Sequence, residues 1–494
     1  MELYWSVTRI SVPESAIAAL KEELARVVGK KYVLSTPLSL ALYECDAETM
    51  DVARPDLVVL PGSTAEVQKV VELANKYCQP FTARGAATGL SGGATTIYGG
   101  ISLVLTRMNR ILHIDPKNML AEVEAGVTNL SVSHAAAPYG LYFAPDPSSQ
   151  SASTIGGNLA ENSGGPHTLK YGMTIHHVLG AKVVLPDGSL TTFGGKSKDK
   201  ISLDLLGLMV GSEGTLGIAT EATVRLLPRS PFVETMLAYF PSVGIGGQAV
   251  SEIVAHGVIP AAMEMIDSVT LNAVEDYLHM GLNRAAGCLL IVELDGPEQS
   301  IHAQRQIVES VVRQNSALSL NWAKDDKERA LIWKARKTSF GALGRIAPHG
   351  YVLDGVIPRS KLKEAIERIA EIGEKHKLTI ANVYHAGDGN LHPCLLYHRE
   401  NEDEVKRVML AGREILELCV ELGGTLSGEH GIGIEKVHEM PMAYSPQDLE
   451  AMTWIKNAFD PRSICNPGKI IPQLKSCGES GMRPLLRHKL LSGC

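Results

Sequence analysis

The sequence predicts two mixed helix-and-strand domains: an α/β region over residues 50–228 and an α+β region after it. Three observations carry this expectation. The 494 residues exceed what a single hydrophobic core organises. Strand-like and helix-like periods alternate over residues 50–228, the pattern of an α/β domain. Leu227-Pro228-Arg229-Ser230-Pro231 then interrupts the alternation with two prolines, and long helical stretches interleaved with apolar strands follow.

Each element has its own signal. Residues 56–60 form a short apolar strand, and Ser63 and Glu66 have capping-box spacing for a helix reaching about Tyr77. Strands are expected at 79–84, 101–106 and 120–125, a helix at 129–139, and a further strand at 222–226. Beyond the proline break, 247–255, 361–376 and 402–422 read as helices, the last with only Gly412 against it. Residues 288–294 and 380–384 read as strands. The tail at 473–494 mixes Gly, Ser and basic residues, a composition that leaves chain ends poorly ordered.

Composition excludes several classes. A net charge of −7 argues against general attraction to nucleic acid phosphates. The eight Cys include no C-x-x-C pair, so neither a zinc ribbon nor an iron–sulfur signature is present, and a reduced cytosolic setting is expected. No apolar run approaches the ~20 residues that span a bilayer, and residues 1–12 lack the apolar core of a signal peptide.

The 47 glycines are concentrated in a few clusters. The first runs from Arg84 through Gly85, Thr88, Gly89, Leu90 and Ser91 to Gly93. Small residues there let backbone N–H groups surround an anion, with Arg84, Thr88 and Ser91 as added donors, and a diphosphate is the natural occupant. A flexible Gly-rich turn is the plain alternative. Gly195-Lys196-Ser197 is not a P-loop, since Leu190 stands where its first Gly belongs. The loose dinucleotide pattern at 244–249 reads instead as the start of a packed helix. A second cluster extends from Asp146 through Thr154, Gly156, Gly157 and Asn162 to Gly164 and Gly165. A third is Gly211-Ser212-Glu213-Gly214-Thr215-Leu216-Gly217-Ile218.

In this order the three segments resemble the FAD-binding domain of the vanillyl-alcohol oxidase / PCMH superfamily. Within it they are similar to the branch of the glycolate oxidase catalytic subunit, D-lactate dehydrogenase and D-2-hydroxyglutarate dehydrogenase, over about residues 55–472. The resemblance implies an α+β fold: a PCMH-type FAD-binding domain of two α/β subdomains over 1–228 and an α+β substrate (cap) domain over 229–425. A segment over 426–472 then returns to the flavin, before the tail at 473–494. It further implies that the first loop holds the FAD diphosphate and that Asp146, Thr154, Gly156, Gly157, Asn162, Gly164 and Ile218 follow the rest of the cofactor. Asn466, in Asn466-Pro467-Gly468-Lys469, would come back to the flavin. Residues 84–93 contain no His for covalent attachment, so the FAD is expected to be non-covalent.

His385 and His392 flank a Gly-Asp-Gly-Asn turn between two apolar strands, which could fold both imidazoles toward one point. Glu429 and His430 stand in a second Gly-rich loop. Two His and one Glu make a three-ligand site for zinc, manganese or iron with positions left for substrate. A 2-hydroxy acid could then chelate the metal, His430 could take the hydroxyl proton, and hydride could pass to the flavin. By the resemblance, Arg336 fixes the substrate carboxylate; a solvated helix charge is the alternative, since 324–337 is densely charged. Cys394 stands where hydroxyglutarate dehydrogenases carry Asn, which favours glycolate or D-lactate over a substrate with a second carboxylate. A non-catalytic flavin subunit of an electron-transfer complex would not need the His and Glu set, and ether-forming relatives of the superfamily lack it. The resemblance implies an iron–sulfur subunit and a second flavin-domain subunit as partners. It suggests a cytoplasmic protein that meets the inner membrane only through a partner. The acceptor stays open among an iron–sulfur subunit, an electron-transferring flavoprotein, quinone and a soluble dye.

Overall fold

The computed structural model describes residues 13–197 and 203–472, so the expectations for 1–12 and for the tail at 473–494 lie outside the described residues. Chain contacts divide the molecule into two units. The first comprises the described residues up to Ser163, Met173–Pro228 and those from Glu429 on; the second comprises Gly164–Gly172 and Arg229–Gly428. The chain therefore departs from the first unit twice, once for the short excursion Gly164–Gly172, and its return begins at Glu429 rather than 426.

The first unit contains two sheets. In one, Leu57–Val59, Ile101–Val104 and Phe81–Arg84 pair in parallel, with Val33–Leu34 antiparallel at one edge. The helix Thr64–Lys76 supplies the crossover between the parallel strands Leu57–Val59 and Phe81–Arg84, which lie on either side of Ile101–Val104. Its cap differs slightly from the expected box. Ser63 Oγ accepts from the Glu66 N–H at 3.3 Å, but the Glu66 carboxylate reaches back to the Gly62 N–H, at 2.7 Å. The other sheet orders Ile111–Asp115, Leu120–Glu124, Ile218–Arg225, Val178–Val184 and Leu190–Gly194, antiparallel throughout. Strand–helix alternation thus describes only the first half of this unit, because short turns join hairpin strands and no crossover is needed.

The second unit is built on an eight-stranded antiparallel sheet. Its central strands, in order, are Phe232–Phe240, Cys288–Gly296, Ala262–Asp267, Thr379–His385 and Asn390–Tyr397. The helices Val243–Ala255, Leu362–His376 and Glu402–Glu421 pack side by side on it. Glycines make two of these contacts possible. A Cβ at Gly246 would stand 2.7 Å from Cys288 Sγ, so the dinucleotide-like pattern is a packing surface. A Cβ at Gly412 would stand 2.8 Å from the Tyr351 ring, which explains a Gly inside an unbroken helix. Among the described residues, no helix is long and apolar enough to cross a membrane.

Candidate active site

Alternation along the strands of the second unit gathers its polar side chains on one face. Ala262 pairs with Glu293 and Glu264 with Ile291, so Glu264, Ile266, Glu293 and Leu289 all point the same way. Val383 pairs with His392, and His385 lies two residues from Val383, so both imidazoles share that face. One end of the face is apolar: Ile266, Leu289, Ala381, Val383 and Cys394 form a core cluster with Ala335, Ala342 and Leu343. The other end is polar and buried. Both strands of the His hairpin extend beyond the sequence expectation, Thr379–His385 and Asn390–Tyr397, so the two His are ladder residues rather than turn residues.

The His pair is held by partners suited to a metal. His385 Nδ1 lies 2.7 Å from Glu264 Oε1. Burial alone would raise the Glu264 carboxyl, but Arg336 and His385 outweigh it and hold it below its ordinary value, so it can only accept. His392 Nδ1 lies 3.2 Å from the Leu353 carbonyl, which also can only accept. Each ring thus has an acceptor at Nδ1, closer at His385 than the Arg336 Nη2 donor at 3.5 Å, which favours the proton on Nδ1 and the lone pair on Nε2, the arrangement that suits metal-ligating imidazoles. The rings stand edge to face with centroids 5.0 Å apart. Around them, buried Asp354 accepts from Asn390 Nδ2 at 2.8 Å, Ser427 Oγ at 2.6 Å and the Gly428 N–H at 2.9 Å. Asp354 thereby fixes the chain immediately before Glu429 and His430.

Arg336 is 2% exposed, which rules out the solvated-charge alternative. Its Nε donates to Glu264 Oε2 at 2.6 Å. One helical turn away, Trp333 Nε1 donates to Glu293 at 2.6 Å, and Glu293 also meets Thr235 Oγ1 at 2.7 Å and His167 Nε2 at 3.0 Å. Lys170 and Tyr171 bind Asp295, as does Ser230 at 2.7 Å. The excursion Gly164–Gly172 is thus tied to the sheet by its own side chains. Gly164, expected along the cofactor, belongs to this unit.

In the first unit the predicted loops come together. Among the described residues, no backbone N–H from Gly85 to Gly93 donates to a protein acceptor. Ala87 within this stretch has a left-handed φ of 56°. A run of N–H groups without acceptors, bent by a left-handed residue, is a nest for an anion. Buried Ser91 Oγ, Ser153 Oγ and Asn158 Nδ2 likewise have no partner among the described residues. These observations fit a diphosphate-bearing cofactor. Thr154 caps the helix Ile155–Glu161, its Oγ1 accepting from the Gly157 N–H at 3.2 Å, and the Gly156 N–H is taken by the Ala125 carbonyl at 2.8 Å.

Several predicted contacts have other duties. Arg84 donates to the Tyr43 and Cys45 carbonyls at 3.4 and 2.8 Å and so braces the loop from behind. Asn162 ends its helix in the left-handed region at φ 54°, and its Oδ1 accepts from the Ile175 N–H at 2.9 Å. Ile218 is buried in a core cluster with Phe81 and Ile101. Asn466 Nδ2 donates to the Gly93 and Glu213 carbonyls at 3.0 and 2.7 Å, and Oδ1 accepts from Thr82 at 3.0 Å. Its side chain ties the first and third glycine segments to a strand, and protein partners occupy the amide expected at the flavin.

Sequence reasoning missed Glu264, Asp354 and Glu213. Glu264 had a legible signal, an acid flanked by apolar residues inside the strand Ala262–Asp267. Glu213 accepts from the Ile432 and Gly433 N–H groups at 2.7 and 2.8 Å, and burial pushes it up to about 7. Burial also raises Asp46 to about 6 and Glu48 to about 8 and lowers Lys469 to about 8.

Fold and site together define an FAD-linked oxidoreductase. Residues 55–194 match a family model described as FAD binding domain, and 229–470 match one described as FAD linked oxidases, C-terminal domain. The chain is 44% identical over 467 residues to glycolate oxidase subunit GlcD of Escherichia coli strain K12, covering 94% of this chain and 93% of that one. It is 39% identical to the Bacillus subtilis GlcD (91% and 96% covered) and 33% to a D-lactate dehydrogenase of Anaerostipes hadrus (92% and 97% covered). The chain belongs to the GlcD and D-lactate dehydrogenase family of the PCMH superfamily. Among solved structures, p-cresol methylhydroxylase superposes with a TM-score of 0.77 at 18% identity, covering 94% of this chain and 98% of that one, which supports the fold.

Proposed function

We propose that this chain oxidises a small 2-hydroxy acid, glycolate or D-lactate, to the 2-oxo acid, using non-covalent FAD and a divalent metal held by His385, His392 and Glu429. The carrying observation is the His pair, each ring fixed through Nδ1 by a buried acceptor, beside the buried guanidinium of Arg336. The named activities of the GlcD and D-lactate dehydrogenase relatives support the same reading.

When bound, the metal supplies Lewis-acid polarisation and FAD supplies hydride acceptance. The chain's own residues do the rest. Arg336 binds and orients the substrate carboxylate, its fork matched to two oxygens. His430, next to Glu429, takes the hydroxyl proton. His385 and His392 present Nε2 because Glu264 and Leu353 occupy Nδ1. Cys394 packs in the apolar cluster, and burial pushes its thiol up to about 12. Glycolate and D-lactate differ by one methyl, which a pocket typically discriminates by only about 1–3 kcal/mol. As the GlcD relatives are named as subunits, we infer assembly with further subunits, an iron–sulfur protein and a second flavin-domain protein.

The test is anaerobic stopped-flow reduction of FAD-loaded protein by glycolate, both lactate enantiomers and D-2-hydroxyglutarate. Flavin bleaching by glycolate or D-lactate is expected; bleaching by none of the panel defeats the proposal. His392→Ala should keep FAD and lose bleaching by at least about 100-fold. If FAD departs together with activity, His392 serves the flavin rather than a metal.

A further inference from the structure

We propose that Glu264 is a positioning residue serving both halves of this site: one oxygen dictates the tautomer of His385 as a metal ligand, and the other holds the guanidinium of Arg336. The proposal rests on the reading just given and assigns it a residue that no catalytic or ligand role covers.

The placement follows from sheet register. Met265 pairs with Tyr384 and Ile266 with Val383, and the same antiparallel register brings Glu264 opposite His385. Glu264 is fully buried within a strand whose every position is buried. An ionised carboxylate there is costly unless paired and hydrogen-bonded. It has one partner per oxygen: His385 Nδ1 at 2.7 Å on Oε1 and Arg336 Nε at 2.6 Å on Oε2. A counter-ion for Arg336 alone would need only the second contact. The first does something different, because a carboxylate facing Nδ1 can only accept and so places the imidazole lone pair on Nε2.

The geometry makes Glu264→Gln an asymmetric change. Arg336 Nε can only donate, so the amide oxygen of the Gln must turn to Arg336 and its NH2 must face His385. An N–H donor facing Nδ1 drives the ring proton to Nε2 and removes the lone pair a metal would use. The side chain keeps its size and its Arg336 contact while the tautomer reverses. Adding Arg336→Met releases the amide to rotate, so its oxygen can again accept from Nδ1.

The experiment titrates Mn2+ into FAD-loaded wild type, Glu264→Gln, Arg336→Met and Glu264→Gln/Arg336→Met, measuring free Mn2+ by its magnetic resonance signal. Flavin content and circular dichroism are monitored alongside. Glu264→Gln should weaken Mn2+ binding roughly 10–100-fold with flavin content unchanged. The double variant should regain most of that loss while the KM for the hydroxy acid stays raised. A merely structural Glu264 would give no such rescue. Equal affinity in wild type and Glu264→Gln, or a folded double variant as weak as the single, overturns the proposal. If Glu264→Gln does not fold, Glu264→Met/Arg336→Met replaces the pair with apolar side chains and leaves Nδ1 without its acceptor; wild-type Mn2+ affinity in that variant also overturns it. A wild type that binds no Mn2+ is a different failure, because it removes the metal reading and this proposal with it.

Discussion

Glu213 in the first unit and Glu264 in the second are both buried carboxylates, yet they are driven in opposite directions. Burial pushes Glu213 up to about 7, against N–H groups of Ile432 and Gly433 that pull it down only partly. Burial acts on Glu264 as well, but Arg336 and His385 overcome it. The contrast extends to their neighbours. Burial holds Glu161 well above the carboxylate range, with Glu213 and Asp46 adding repulsion, and it carries Glu48 to about 8. In the second unit burial is outweighed at Glu293 by His167 and at Asp295 by Lys170. At these buried carboxylates burial sets how much is at stake, and the partners that face each carboxylate set the sign. A region of raised carboxylates beside open N–H groups is arranged around something the protein must bind. Glu264, Glu293 and Asp295, lowered by their partners, hold side chains still, whereas Asp267, on the Glu264 strand with only N–H, hydroxyl and amide partners, is raised by burial.

Arg336→Met tests this contrast most severely. It leaves the Glu264 charge buried without its guanidinium, and a loss of about 3–5 kcal/mol is expected in urea melts at pH 7. A loss under about 1 kcal/mol would mean that the guanidinium is not what keeps Glu264 ionised.

Glu48→Gln probes the opposite sign. The Glu48 carboxyl titrates near 8 in the fold against an ordinary 4.5, so the folded state keeps its proton longer than the unfolded chain. Its favourable contribution is complete below about pH 4.5 and drains away as pH rises toward 8. A Gln cannot ionise. Between pH 5 and 8 the FAD-free wild type should therefore lose roughly 2–4 kcal/mol more stability than the variant. Parallel pH profiles would remove Glu48 from the comparison.

Lys170→Met should have the smallest effect, about 1 kcal/mol, because Asp295 keeps the hydroxyls of Tyr171 and Ser230. Asp295 sits below its ordinary value, so its contribution is present at neutral pH and lost on acidification. The variant should accordingly show a shallower decline in melts from pH 6 to 3. A decline as steep as the wild type would assign the depression to the hydroxyls rather than to Lys170.

Much of the architecture was legible because periodicity and local chemistry carry it. The helix Thr64–Lys76 announced itself through Ser63, and Glu402–Glu421 through an apolar stripe that Gly412 did not break. The antiparallel second sheet of the first unit was not legible, since the strands Ile218–Arg225 and Leu120–Glu124 are partners distant in sequence and nothing local states their direction. Residues chosen by type behaved unevenly. Arg84 and Asn466 have the donors a cofactor contact needs, but protein carbonyls far along the chain claim those donors first.

The sequence by itself determined the ingredients: three glycine segments able to expose backbone N–H groups, and two His flanking a tight turn before a Glu-His loop. Those are local properties of backbone freedom and side-chain chemistry. Only the tertiary structure decided how they are held. Sheet register set Glu264 against His385, chain reversal buried Arg336 beside it, and Asp354 gathered Asn390, Ser427 and Gly428. Hydrogen bonds between residues far apart in sequence depend on which strands pair, and pairing is settled by the burial of the whole sheet face.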